Sequence, residues 1–535
     1  MSGLARVLRV GLLAFSCVLL VGHSLLFNFV TDDAFISFVY AKNLAQHGEL
    51  VFNLGERVEG YTNFLWTLVL AAGLRLNLPP EGLSRVLGTL CALFTMLYSA
   101  SLFRRVASTK HAVWESLSAL CLAAIPGYAC WASGGLETQL FTLLCTVSLG
   151  EYVQITIDET EATQTGFARL GLTLGLASIT RPEGYLLFAL LAIHRLFHNV
   201  KKRAFFPTRL DWILVFLFLA ITIPHMAFRR LYYGYFVPNT FYIKSSGGKG
   251  TWDQGFYYLW AFSRDLKLWI FPLLYGLGLL RAWSKSDNKP ARLSTGYARL
   301  GELLLWWSVP FCLYVASVGG DFMGLYRFMM PIVPLWVFCG VLGLYRLLHE
   351  PNARLMYAAI GVLLGLHGLN TFFVDRHALT FIGADRGIDT PGYLRHYVND
   401  RIAIGKWFRQ HVKPDDYQVV GGAGAQVYYA GIRALDSFGL SDAYVAHEVP
   451  ASSNRPGHQK FAPLEYVLSR KPTILTYNVY RIAQTPYRPS DSEAAMWRAR
   501  GFHYVSVEIP GLSERWYSFL KRTDRSLGPF PPAQD

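Results

Sequence analysis

Residues 31–63 read TDDAFISFVYAKNLAQHGELVFNLGERVEGYTN. They stand directly behind an apolar stretch, 7–28, that is long enough to cross a bilayer. Two adjacent carboxylates, Asp32 and Asp33, therefore fall where a membrane helix ends. Ionisable groups at a bilayer edge are costly to hold, which makes them candidates for function. The plainer reading is that one Asp caps the next helix. Both readings can hold, one for each residue.

The chain has 535 residues, 52% hydrophobic and only 16% charged. Its mean hydropathy of +0.27 excludes an ordinary soluble protein. The net charge is +14. The basic residues sit in short clusters between apolar spans, as cytoplasmic loops do, and no nucleic-acid-binding signature accompanies them. All seven cysteines lie in apolar spans, and the histidines lack ligand spacing, so neither a disulfide framework nor a metal site is expected. A divalent metal has no support in the residues. There is no nucleophile elbow and no P-loop.

Eleven spans are expected: 7–28, 82–103, 112–130, 137–155, 167–180, 183–198, 211–229, 260–281, 299–318, 326–347 and 353–374. A twelfth apolar segment, 64–76, is short. If it crossed, the clusters at Arg104/Arg105/Lys110, Arg195/Lys201/Lys202/Arg203/Arg209, Arg281/Lys285/Lys289/Arg292 and Arg346/Arg354 would leave the side of Arg6 and Arg9. The positive-inside rule therefore makes 64–76 an interfacial helix within a first outer loop, 29–81. The N-terminus is then cytoplasmic and the C-terminus outside. Residues 1–374 form the membrane domain, and 375–535 form an outer α/β domain. The latter should hold a helix at 392–412 and strands at 417–422, 433–438, 472–477 and 503–509. GGAGAQ (421–426) lacks the spacing and the acidic partner of a dinucleotide loop and reads as a tight turn. The tail FPPAQD (530–535) reads as disordered.

This topology gathers acids and cations on the outer face. SGGLET (133–138) carries Glu137, TRPEG (180–184) carries Arg181 and Glu183, and GGDFMGLYRF (319–328) carries Asp321 and Arg327. The run RRLYYGYFVPNTFYIK (229–244) carries Arg229, Arg230 and Lys244. Asp32 or Asp33 can serve as a general base towards a sugar hydroxyl, or can stabilise an oxocarbenium-like transition state. Arg229, Arg230 and Lys244 can hold a phosphate, or the arginines can anchor at lipid headgroups. Arg181 and Glu183 can simply fix a turn; Glu137 and Asp321 can cap helices. A transporter or flippase of a lipid-linked sugar would also combine apolar spans with charge, but calls for mid-span charges and paired broken helices.

In combination, the Asp-Asp span boundary, FNLGERVE (52–59), SGGLET, RPEG, YYGYFVPNTFYIK and GGDFMGLYRF resemble the GT-C superfamily glycosyltransferases of the terminal arabinofuranosyltransferase B family. The resemblance extends more weakly to LDSFGLSDAYVAHEV (435–449) and PGHQKF (456–461). It implies an all-α GT-C membrane fold of about eleven helices with an outer C-terminal domain. It implies multi-pass residence in the bacterial inner membrane. It implies an enzyme that moves arabinofuranose from decaprenyl- or undecaprenyl-phosphoryl-arabinofuranose to a glycan or pilin-like protein acceptor. By position, Asp32 and Asp33 match the catalytic pair. Arg229, Arg230, Lys244 and Arg181 match donor-phosphate positions. Arg57, Glu59, Glu137, Glu183, Asp321, Arg327 and His458 match sugar or acceptor positions.

Overall fold

The computed structural model describes residues 3–107, 112–157, 163–201, 207–244, 248–284, 292–348, 353–453, 455 and 457–530. Lys110, Lys202, Arg203, Lys285 and Lys289 of the basic loops, and residues 531–535 of the tail, lie outside these, as do the side chains of Lys201, Lys244 and Arg292. The chain divides into two compact units. One comprises Met1–Asn28, Ser84–Ala227 and Lys249–Phe381; the other comprises Phe29–Leu83, Phe228–Gly248 and Ile382–Asp535.

Helix covers most of each of the eleven expected spans, but 112–130 and 260–281 are interrupted. Among the described residues, six helices are long and apolar enough to cross a membrane: Arg6–Phe27, Pro80–Ala107, Arg209–Tyr233, Gly296–Ser317, Arg327–Leu348 and Met356–Thr380. A seventh arises if Val113–Ala123 and Pro126–Ser133, bent by 65°, count as one span. The bend follows from Pro126, which cannot continue the preceding backbone ladder. The chain is a multi-pass membrane protein. One expectation is corrected. Segment 260–281 is not one span, because the backbone turns left-handed at Lys267 (φ 53°) and separates helix Lys249–Leu266 from helix Ile270–Ser284.

In the first unit, small residues set how closely helices approach. A Cβ at Gly340 would lie 2.5 Å from the Phe271 Cα, and one at Gly343 would lie 2.3 Å from the Leu274 carbonyl oxygen. Helices Ile270–Ser284 and Val333–Leu348 thus meet backbone to backbone.

The second unit is built on a six-stranded sheet. Strand Tyr417–Val420 pairs in parallel with Arg433–Asp436 on one side and with Ile474–Leu475 on the other. Trp516–Arg522 is antiparallel to Ile474–Leu475, Arg481–Ala483 and Phe502–Glu508. All four expected strands are present. Trp516–Arg522, which ties the two halves of the sheet together, was not anticipated from the sequence. Helix Pro391–His411 packs Ile404 and Phe408 against Tyr517 and Phe519. The first outer segment joins this unit. Ile36, Val39 and Tyr40 of helix Asp32–His47, with Leu50, Phe52 and Tyr61, share a core with Val420, Ala423, Val427 and Ala434. The short apolar segment forms helix Phe64–Arg75, and its 12 residues are too few to cross a bilayer.

Phe519 is fully buried in the connecting strand. Phe519→Ala should cost about 3–5 kcal/mol and lower the melting midpoint of the detergent-purified protein by roughly 10 °C. A wild-type melting curve would show that this core does not carry the fold.

Candidate active site

Helix Asp32–His47 starts after Thr31, whose extended backbone (φ −68°, ψ 152°) makes the entry without a side-chain capping bond. The two carboxylates occupy its first turn, where they oppose the positive helix end. They differ in surroundings. Asp33 is half-buried, while Asp32 is 7% exposed. The Asp32 Oδ1 accepts a hydrogen bond from the Ala425 amide at 2.8 Å. Ala425 opens helix Ala425–Ala430, directly behind the glycine turn. A Cβ on Gly424 would lie 2.0 Å from the Asp32 carbonyl oxygen and 2.6 Å from its Cγ. One on Gly422 would meet the Tyr397 Oη at 2.3 Å and the Asp32 Oδ2 at 3.1 Å. The turn is glycine-rich because Asp32 fills the space where side chains would be. Burial pushes the Asp32 carboxyl above its usual range, and the Ala425 amide, the Arg401 charge and the Gly424 amide draw it back.

Sequence reasoning missed Arg401 and Tyr397. The buried positions of helix Pro391–His411 include Leu394, Val398, Arg401, Gly405 and Phe408. An arginine on that apolar stripe was the available signal. The Arg401 guanidinium lies between the rings of Tyr397 and Tyr480, 4.7 and 4.4 Å from their centroids. Its Nη1 donates to the Gln426 side-chain oxygen at 3.3 Å.

The same unit holds a buried ion pair between Glu59 and Arg229 (2.7 Å). Arg229 also donates to the Phe236 carbonyl, and the Asn239 amide donates to the Glu59 carbonyl. Burial raises the Glu59 carboxyl, against the opposing charge of Arg229. Arg57 is exposed and lies 4.7 Å over the Tyr232 ring. Arg230 is exposed, donates to the Gly234 carbonyl and covers Phe236. His458 is half-buried and sits edge-on to Phe438, with centroids 4.5 Å apart. The Lys244 side chain lies outside the described residues.

The first unit holds the second group. Arg181 donates to both Glu183 oxygens (2.7 and 3.2 Å) and to Glu137 (2.7 Å). Arg327 pairs with Asp321 at 2.8 Å. The Phe328 ring stands within cation–π range of both guanidiniums, 4.9 Å from Arg181 and 5.2 Å from Arg327. Arg181, Glu183, Arg327 and Phe328 line one small pocket. Three carboxylates face two guanidiniums here, so each arginine already has an acidic partner. The residues expected to form one constellation thus fall into two groups, one in each unit.

Comparison with solved structures identifies the architecture. ArnT from Cupriavidus metallidurans, solved bound to undecaprenyl phosphate, aligns with a TM-score of 0.57 at 13% identity, over 98% of this chain and 99% of ArnT. The likeness shows that this chain and ArnT share a fold.

Among curated proteins, the chain is related to two named terminal beta-(1->2)-arabinofuranosyltransferase. The one from Mycobacterium tuberculosis is 27% identical over 373 residues, 64% of this chain and 57% of the relative. The one from Corynebacterium glutamicum is 27% identical over 337 residues, 57% of this chain and 46% of the relative. The chain thus spans about half the length of these relatives. Residues 393–520 match a family described as a domain of unknown function (DUF8728).

Removing one partner of a buried ion pair costs about 3–5 kcal/mol, because the other charge is stranded. Arg229→Met alone should therefore lower the melting midpoint clearly, and the pair Arg229→Met with Glu59→Gln should recover most of the loss. If the single and double variants melted alike, Glu59 and Arg229 would not be coupled.

Proposed function

We propose that this protein is a polyprenyl-phosphate-sugar-dependent membrane glycosyltransferase. It transfers arabinofuranose from decaprenyl- or undecaprenyl-phosphoryl-arabinofuranose to a glycan or a pilin-like protein outside the inner membrane. The N-terminus is cytoplasmic and the C-terminal domain lies on the outer side. The observation that carries this reading is the Asp32–Asp33 pair, set at a helix start behind the first membrane span and anchored by a hydrogen bond to the Ala425 amide. The names of the two relatives support the sugar, and the undecaprenyl phosphate in the ArnT structure supports the donor class.

In this reading a carboxylate of the pair accepts the proton of the acceptor hydroxyl as the new glycosidic bond forms. The bond between the anomeric carbon and the phosphate oxygen breaks, and its electrons leave with the polyprenyl phosphate. Fixed cations offset the charge that builds on that phosphate. Arg230, exposed beside Phe236, is open to such a phosphate, and Lys244 is assigned to it as well. Arg229 and Arg181 are held by carboxylates at 2.7 Å and would exchange or share those partners. Arg57, Glu59, Glu137, Glu183, Asp321, Arg327 and His458 are assigned to the sugar and the acceptor.

The test is transfer by purified protein from a synthetic polyprenyl-phosphoryl-arabinofuranose, with acceptor mass as readout. Asp32→Ala and Asp33→Ala are made separately. At least one should lower the rate by 10²-fold or more at unchanged expression. Wild-type transfer by both would remove the carboxylate pair from the mechanism.

A further inference from the structure

The following deepens the proposed function and rests on its assignment of Asp32 as a catalytic carboxylate. We propose that Arg401 and the glycine turn at 421–425 are positioning elements, which fix the charge and orientation of the Asp32 carboxylate.

The first observation is what Arg401 lacks. It is 4% exposed, its Nε has no hydrogen-bond partner, and it forms no ion pair among the described residues. Arg181, Arg229 and Arg327 each hold a carboxylate at 2.7–2.8 Å. A buried guanidinium without a direct acid partner is costly to retain unless its field is used. Two tyrosine rings offset part of that cost on its faces. The carboxylate on which its charge acts is Asp32.

The second observation is independent of charge. Space for Asp32 exists only because positions 422 and 424 lack side chains. The turn follows strand Tyr417–Val420, whose parallel neighbours lie on both sides of it. In open α/β sheets the carboxyl end of such a strand is where anionic ligands settle. Here the chain supplies its own anion.

The groups that face Asp32 are Arg401 and Tyr397 from helix Pro391–His411 and the Gly424 and Ala425 amides from the turn, with Asp33 its neighbour in sequence. A base works only while unprotonated, so activity falls as pH drops through its pKa. Deleting a nearby positive charge raises a carboxyl pKa. The acid limb of the pH–rate profile must therefore move to higher pH when Arg401 loses its charge.

The experiment measures kcat and KM for the lipid donor from pH 5 to 9 in full-length Arg401→Gln, Arg401→Lys and Gly424→Ala proteins. Arg401→Gln is expected to move the acid limb to higher pH and to lower kcat several-fold on that limb, with the high-pH plateau and KM unchanged. Arg401→Lys should keep the limb near its wild-type position. Gly424→Ala displaces Asp32 without changing charge and should lower kcat at every pH. An Arg401→Gln profile identical to wild type overturns the proposal. If Arg401→Gln does not fold, wild-type kcat in Gly424→Ala overturns it instead. Loss of transfer in Asp32→Ala together with unperturbed Arg401→Gln sinks this inference alone. Wild-type transfer in both Asp variants sinks the proposed function beneath it.

Discussion

One carboxylate, that of Asp32, accepts a backbone amide 393 positions away in the sequence. Much of the second unit follows from that contact. A carboxylate removed from water is costly unless amides and a positive charge replace its hydration. The turn at 421–425 supplies the amides and Arg401 supplies the charge. Their requirement for close approach excludes side chains at 422 and 424. Once Asp32 is seated, the following helix turns Ile36, Val39 and Tyr40 towards Val420, Ala423 and Val427. A segment that follows a membrane span thereby becomes part of the sheet's core.

The other acids and cations obey a different rule. Glu59 with Arg229, Arg181 with Glu137 and Glu183, and Arg327 with Asp321 are all paired at close range and largely buried. Buried pairs of this kind are weak sources of stability, because desolvation offsets most of their attraction. They do fix geometry. The Glu59–Arg229 pair, the Tyr61–Tyr233 hydroxyl contact at 3.1 Å and the Tyr233 bond to the Leu50 carbonyl clamp residues 50–61 to residues 229–239. Phe328, shared by two guanidiniums, plays a comparable part in the first unit. Charges held this way are oriented before any substrate arrives, the condition for electrostatic catalysis.

What the sequence disclosed follows from the range of each interaction. Apolar spans are local in sequence, so helix covers most of each expected span, although 112–130 and 260–281 are interrupted. Arg181 and Glu183 are two positions apart, and their pairing was legible as a turn. Glu59 and Arg229 lie 170 positions apart, and nothing local names either as the other's partner. The break at Lys267 depends on one left-handed residue inside an otherwise apolar run. Strand Trp516–Arg522 was missed because its burial does not alternate. Strands flank it on both edges, and Tyr517 to Lys521 are buried in succession, Ser518 and Lys521 among them. Period-2 reasoning finds half-buried strands and overlooks such a one.

GGAGAQ shows how a correct exclusion can still leave the larger point unread. The segment lacks a dinucleotide fingerprint, and the tight-turn reading follows. Yet the physics that makes glycine turns bind phosphates is not specific to phosphate: exposed amides at a helix start, with no side chains in the way, attract any anion. The Ala425 amide at the Asp32 carboxylate satisfies that description within one chain. A turn of this kind without a dinucleotide fingerprint is therefore not idle. With Asp32 in place, side chains have no room at 422 and 424, and the turn's amides and Arg401 act on that carboxylate. The useful question for such a motif is which anion reaches it, and in this protein the anion comes from the residue that follows the first membrane span and its short linker.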